Sequence, residues 1–351
     1  MNNQLIEFIE TSFLKPLIDV SDITDISFNG EDLFYQDNYK GRTKARMKID
    51  QKEAFDFIRQ IGNLSDSQFN LSNPILDISC GKYRINATHP IISRKSREQA
   101  INFSIRISSD KLRIDADSRF VTKKCLKLIN LFIKNRLSVV IGGETSSGKT
   151  EFQKYLLTIF NENTRVIVID NVDELDVSFL DGKIDLQTWL IRDGTNINFE
   201  ALIKNALRSN PDWLVISESR GKEMISILNG AMTGHPTITT LHAKQADYMY
   251  QRMARMCMIS NDNLKFKEVL FDIYDHFKIL IYVKKRVNED GSISRFINEI
   301  GTNFKHKYYS LYQYPSTYFE LPSDFEKELN LSSENFLNFN NEWLLEPIGV
   351  F

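Results

Sequence analysis

The eight residues Gly143-Glu144-Thr145-Ser146-Ser147-Gly148-Lys149-Thr150 fit the spacing G-x-x-x-x-G-K-[ST]. This combination can hold a chain of phosphates. Glycines let backbone N–H groups close around the oxygens, and a helix beginning at Lys149 adds a favourable dipole. Lys149 supplies a point charge for the outer phosphates. The Thr150 hydroxyl suits Mg²⁺, and Glu151 completes the cradle segment. The flanks support this reading. Leu137-Ser138-Val139-Val140-Ile141 reads as a buried strand, and Phe152, Tyr155, Leu156, Ile159 and Phe160 fall at helical spacing. Without those flanks the segment would be an ordinary glycine-rich turn.

Three further apolar runs end in residues able to do chemistry. Arg165–Ile169 leads into Asp170-Asn171-Val172-Asp173-Glu174, Trp213–Ile216 into Ser217-Glu218-Ser219-Arg220, and Thr237–Leu241 into His242. An acid at the end of a buried strand is well placed to bind Mg²⁺ through water or to orient an attacking water. One such acid is often only a helix cap. Several in a chain with a phosphate loop are harder to set aside.

These strands need helices between them, and the pattern supplies them: Thr150–Phe160, Phe199–Leu207, Glu223–Met232 and Ala246–Met256. A further helix ahead of the loop carries Val121, Cys125, Leu128 and Phe132 on one face. Short apolar strands alternating with helices predict a parallel sheet covered on both faces, with its ligand at the carboxyl ends of the strands. The first hundred residues read as a smaller mixed α/β domain. A short helix ends near Pro16. A hairpin turns at Asn29-Gly30 between Ile26–Phe28 and Leu33–Tyr35. Asp50 and Glu53 form a capping box for a helix ending at Gly62. Ile75–Cys80, Tyr83–Ala87 and Ile101–Ile107 are strands. On the last two, Arg84 and Arg106 oppose the apolar set, and Ser93–Arg97 is a basic loop. The expected domains are 1–109, a polar linker at 110–117, 118–300, and an extension at 301–351.

Composition narrows the function classes. A chain of 351 residues with 42% hydrophobic content suits two domains with proper cores. The balance of 44 Lys+Arg against 46 Asp+Glu gives no global argument for nucleic acid. Cys80, Cys125 and Cys257 are far apart and odd in number, which indicates neither a disulfide framework nor a zinc knuckle, and fits a reducing cytoplasm. No signal peptide and no run of the ~18–20 apolar residues needed to span a membrane is visible.

The segments Asn210-Pro211-Asp212-Trp213-Leu214-Val215-Ile216-Ser217-Glu218-Ser219-Arg220 and Thr233-Gly234-His235-Pro236-Thr237-Ile238-Thr239-Thr240-Leu241-His242-Ala243 resemble the type II/IV secretion traffic ATPases. These are the hexameric motors of secretion, conjugation and type IV pili. The resemblance runs from about Leu17 to about Ile300. It implies a RecA-like ATPase domain preceded by a smaller PAS-like domain. It also implies ATP and Mg²⁺ as ligands, a ring (six subunits in the family) and docking to an inner-membrane platform or coupling protein at the cytoplasmic face. Lys149 and Thr150 resemble the phosphate and Mg²⁺ ligands, and Glu218 the glutamate that polarises water, directly or through Mg²⁺. Asp170 and Glu174 resemble the acidic box, and His235 and His242 the histidine box. Arg84 and Arg106 resemble the arginines that the first domain offers to the nucleotide. Arg208 and Arg220 also fall in motif positions.

The chain departs from the family pattern at Ser146 and Ser217, each in place of glycine, and at Asp170-Asn171, where Glu-Asp is usual. The missing four-cysteine insertion and the compact first domain favour the type IV secretion, conjugation or tight-adherence branches. A motor is expected. The alternatives are a nucleotide-gated scaffold with little hydrolysis and a DNA-translocating ATPase, the latter disfavoured by the near-neutral charge.

Overall fold

The computed structural model describes residues 2–109, 112–114, 120–170, 175–191, 197–259 and 263–315. The chain clusters into two units. Met1–Lys111 and Val287–Ser294 form the first; Leu112–Arg286 and Arg295–Phe351 form the second.

In the first unit, helices α1 (Asn2–Glu10), α2 (Lys15–Ile18) and α3 (Gln51–Leu64) accompany strands β1 (Ile23–Phe28), β2 (Leu33–Asp37), β3 (Gly41–Lys44), β4 (Ile75–Cys80), β5 (Tyr83–Thr88), β6 (Arg94–Lys95), β7 (Glu98–Gln99) and β8 (Asn102–Ile107). Six strands form one sheet in the order β3-β2-β1-β8-β5-β4, and every neighbouring pair is antiparallel. The strands alternate as their sequence demands. Ile85, Ala87, Phe103 and Ile105 join Leu5, Ile9, Ala54, Phe57, Ile58 and Ile61 in one core, while Ser104 and Arg106 are exposed.

The β1–β2 hairpin is where the sequence places it. Its turn is stabilised by Asn29, whose Oδ1 accepts from the Glu31 and Asp32 amides at 3.1 and 2.8 Å. Asp50 caps α3, its Oδ1 accepting from the Glu53 amide at 2.7 Å. Three local expectations are corrected. The first helix stops at Glu10, and Pro16 lies in the first turn of α2, where its missing N–H costs nothing. Helix α3 passes Gly62 and ends at Leu64. The basic segment at 93–97 is part of a small hairpin, β6–β7.

The second unit holds α4 (Lys123–Lys134), β9 (Val139–Gly143), α5 (Lys149–Leu157), β10 (Arg165–Asp170), β11 (Asp185–Leu190), α6 (Phe199–Leu207), β12 (Trp213–Ile216), α7 (Met224–Met232), β13 (Thr237–His242), α8 (Tyr248–Met258), α9 (Phe266–His276), β14 (Ile279–Val287), β15 (Ile293–Phe304) and β16 (Lys307–Gln313). Its eight strands are ordered β11-β10-β12-β13-β9-β14-β15-β16. The six from β11 to β14 pair in parallel. Their side chains divide between two cores. Val139, Ile141, Val166, Val168 and Val215 pack with Leu128, Phe132, Phe152 and Leu156 of α4 and α5. Val140, Ile167, Ile169, Leu214 and Ile216 pack with α6 to α9 through Ile203, Ile227, Met253 and Ile273. Each fully buried Val or Ile contributes about 1.5–3 kcal/mol, so the sheet is fixed from both sides. This is the expected RecA-like architecture, with the loop-bearing β9 between β13 and β14.

Strands β11, β14, β15 and β16 and helix α9 were not foreseen. The boundary expected at residue 300 falls inside β15, so 301–313 belong to the second unit's sheet and are not a separate extension. The remaining tail, 316–351, and most of the expected linker lie outside the described residues. The three cysteines are buried and free. Burial pushes the Cys80 and Cys125 thiols up to about 11 and Cys257 to about 12, so none is a ready nucleophile. Among the described residues no helix is long and apolar enough to cross a membrane.

Candidate functional site

Strand β9 ends in Gly143 because no larger residue fits there. A β-carbon on Gly143 would stand 2.4 Å from the Val283 carbonyl oxygen and 2.6 Å from Ser147 Oγ. The chain then turns through Glu144–Ser147 and enters α5 from Gly148. Gly148 has φ +99, and a β-carbon on it would meet Phe120 at 3.0 Å. Conformation and space both demand glycine here. Ser146 also occupies the left-handed region, with φ +60. At a position where the family pattern has glycine, this serine costs about 1–2 kcal/mol. The loop is thus formed, and Ser147 within it is fully buried with an Oγ lacking a hydrogen-bond partner among the described residues.

Lys149 is 7% exposed. Its Nζ donates to the carbonyls of Gly143 at 3.2 Å and Glu144 at 2.9 Å, and approaches His242 Nδ1 at 3.4 Å. The β9–β13 ladder explains the last contact, because it pairs His242 with Gly143. An ammonium can only donate, so in this contact Nδ1 is the acceptor. Nε2 lies 3.0 Å from Glu218 Oε1. The approach lacks the alignment of a hydrogen bond, and Oε1 is buried without a hydrogen-bond partner among the described residues. The other oxygen, Oε2, accepts from Arg220 Nε at 3.0 Å and Nη2 at 2.8 Å. Burial and then the Lys149 charge hold the His242 imidazole below its ordinary pKa; Glu218 opposes them.

Backbone and buried polar contacts fix Glu218. Thr240 Oγ1 donates to the Ser217 carbonyl at 2.8 Å, and the Ser219 amide donates to the Thr240 carbonyl at 2.8 Å. Gln153, fully buried one turn after Lys149 on α5, donates from Nε2 to the Ile216 carbonyl at 2.8 Å. The phosphate loop, the end of β12 and the end of β13 are therefore tied together. Asp170, 2% exposed at the end of β10, accepts from the Leu175 amide at 2.9 Å. Glu151 accepts from the Arg113 amide at 3.1 Å.

The arrangement joins Lys149, Glu218, His242 and Arg220 at the carboxyl edge of the sheet. It does not include His235. That residue precedes β13, contacts Thr233 Oγ1 at 3.0 Å and stands seven extended residues from His242, roughly 23 Å at 3.3 Å per residue. Glu174 lies outside the described residues. Arg84 and Arg106 face each other across β5 and β8 in the first unit, within 3.8 Å of Asp77 and 3.3 Å of Asp25 respectively. Sequence reasoning missed Gln153 and Arg295; the latter donates from Nε to the Ser146 carbonyl at 2.8 Å. Gln153 carries a local signal, a polar residue one helical turn beyond Lys149. Arg295 carries none, being 149 residues from its partner.

The chain is similar to several known proteins. The family model described as type II/IV secretion system protein matches residues 90–273. An uncharacterized protein of Bacillus anthracis is 30% identical over 289 residues, covering 80% of this chain and 63% of that protein. The chain thus spans less than two thirds of that relative's length. The type IV secretion system protein PtlH of Bordetella pertussis is 29% identical over 133 residues, 37% of this chain and 39% of that one. Among solved structures, the Legionella pneumophila ATPase DotB superposes with a TM-score of 0.59 at 20% identity, covering 84% of this chain and 79% of that one. That likeness speaks to the fold alone.

Proposed function

The chain belongs to the type II/IV secretion system protein family, and we propose that it is a Mg²⁺-dependent ATPase that turns hydrolysis into movement between its two units. The observation that carries this reading is the convergence of the Lys149 ammonium, the Glu218 carboxylate and the His242 imidazole on the loop following β9. Phosphoryl transfer needs positioning and charge neutralisation more than covalent chemistry, and these groups supply both. Lys149 exchanges the Gly143 and Glu144 carbonyls for the outer phosphates. Glu218 orients the attacking water. Neutral His242 stands between them, where it registers whether the Lys149 charge is occupied by phosphate. Asp170 and Glu174 support the acid side. Arg84 and Arg106 serve the nucleotide from the first unit, so that loss of the γ-phosphate releases a tether.

The donor set fits Mg²⁺: hard oxygens from the Thr150 hydroxyl and from Glu218, whose Oε1 is left without a hydrogen-bond partner. Thr150 would hold the ion directly and Glu218 through water. Once bound, the ion would neutralise phosphate charge.

The assembled protein is proposed to be a ring, six-membered by family analogy, that works peripherally at the cytoplasmic face of a membrane with a platform of a type IV secretion, conjugation or pilus machine. A second reading, a nucleotide-gated scaffold with slow hydrolysis, is favoured by Ser146 at φ +60 where glycine is usual. Phosphate release from ATP by the purified protein, with and without Mg²⁺, decides between them. Particle mass is measured alongside, with and without a nonhydrolysable analogue. Mg²⁺-dependent turnover by particles several times the 40.8 kDa chain supports the motor. Analogue binding with assembly but without phosphate release supports the scaffold. A monomer that neither binds nor hydrolyses ATP removes both.

A further inference from the structure

Arg295 has no part in the chemistry described so far, yet it touches the phosphate loop at its most strained residue. Its Nε donates to the Ser146 carbonyl at 2.8 Å. Its stem runs beside the loop, with Cδ 3.6 Å from where a β-carbon on Gly148 would stand. The amide of the next residue, Ser147, donates to the Glu144 carbonyl at 3.3 Å. The peptide between Ser146 and Ser147 is therefore held at both its oxygen and its nitrogen. The strand that carries Arg295 is itself anchored beside the loop, because the Ile297 amide donates to the Phe120 carbonyl at 2.8 Å and the Phe120 ring packs against Gly148 and Phe152.

The physical need for such a clamp follows from Ser146. A phosphate cradle works only while carbonyl oxygens point away from the anion and N–H groups point inward. A glycine at this position would hold φ +60 readily. A serine is drawn back toward negative φ, and that rotation about its N–Cα bond swings its own carbonyl and the backbone that follows out of place. The guanidinium hydrogen bond to the Ser146 carbonyl opposes that rotation, and bonds to charged donors are roughly twice as strong as neutral ones. We propose that Arg295 is a positioning residue that locks Ser146 in the left-handed conformation and so keeps the loop set for a nucleotide's phosphates. The inference rests on reading 143–150 as that cradle.

The test is a double-mutant cycle between Arg295→Gln and Ser146→Gly, read by the Kd of a nonhydrolysable ATP analogue, by kcat and KM, and by melting temperature. Arg295→Gln should weaken binding about tenfold, the scale of a lost charge-assisted hydrogen bond. KM should rise in step while kcat changes by less than about twofold. In the Ser146→Gly background the same substitution should cost less than about threefold, because glycine needs no clamp. Arg295→Lys, which keeps charge and reach, should recover binding to within about threefold of wild type. Equal losses in both backgrounds, a fall in kcat at unchanged Kd, or a lysine variant no better than glutamine would each overturn the inference. So would a glutamine variant that binds as wild type does. Lys149→Ala separates the two levels. If it binds the analogue like wild type, the cradle reading itself fails. If it binds poorly while Arg295→Gln binds normally, only the role of Arg295 fails.

Discussion

The carboxyl edge of the second unit's sheet and the arginine face of the first unit's sheet both carry charges that the proposed reaction would use, yet they are built differently. At the edge, Lys149 is 7% exposed and the Glu218 side chain 12%. The β9–β13 pairing, Thr240 and Gln153 hold them from several directions. On the arginine face, strand alternation turns Arg84 and Arg106 away from the core, each beside a carboxylate, and the Arg106 and Asp25 side chains are 43% and 38% exposed. Exposed ion pairs of this kind are worth about 0–1 kcal/mol. One pole is preorganised at the cost of burying charge; the other is inexpensive to rearrange. A group that must engage and release a ligand in each cycle belongs on the second kind of surface, and a group that must sit still during chemistry on the first.

The sharpest way to break this contrast is at the rigid pole. Lys149→Ala and Glu218→Gln should each lower phosphate release at saturating ATP by about 10²–10³-fold, the scale of removing one preorganised electrostatic group. They should differ in binding. Lys149→Ala should lose ATP affinity, because its charge faces the ground-state phosphates. Glu218→Gln should keep it, because its carboxylate acts on water. Turnover within tenfold of wild type for either variant removes that residue from the machinery.

That pole was largely legible in the sequence, because a phosphate loop is a local device: spacing, glycine and the helix start lie within eight residues. Glu218 and His242 were legible for a related reason, since parallel strands deliver their carboxyl ends to one edge. The same motif does not by itself separate the places of its two histidines. A histidine that precedes β13 and one that closes it lie close in sequence and at opposite ends of a strand. Strands β14 and β15 escaped notice because Lys284, Lys285 and Arg286 interrupt the apolar run of Ile279–Val283. Strand β11 is a half-buried edge whose residues show no fully apolar stretch. Arg295 was invisible because only the completed sheet brings β15 beside the loop.

The exposed pole tests the other half of the contrast. Arg84→Ala and Arg106→Ala should each leave stability within about 0.5 kcal/mol of wild type, as surface substitutions do. Each should still slow turnover about tenfold or more, as loss of a charge-stabilising arginine does. Thermal melting and phosphate release on the same preparations read both. Destabilisation without a kinetic effect would make these arginines structural and remove the first unit from the chemistry.

The smallest expected effect is the most diagnostic of how the rigid pole is wired. His242 is held below its ordinary pKa by burial first and by Lys149 second, against the pull of Glu218. Following its ring protons by NMR through a pH titration should therefore give opposite displacements in two variants. Lys149→Ala removes a repelling cation, so the titration moves up toward the ordinary value near 6.5. Glu218→Gln removes the attracting anion, so it moves further down. The linkage has a fixed sign. A histidine whose folded pKa is depressed contributes its stability above about pH 6.5, and that contribution is lost as pH falls toward the folded pKa, where the unfolded chain binds the extra proton. Melting temperature should accordingly fall on acidification below pH 6.5, and less steeply in Lys149→Ala, where the shift is smaller. Displacements of the same sign in both variants would mean that the imidazole does not lie between the cation and the carboxylate, and that neutral His242 cannot register the state of the loop.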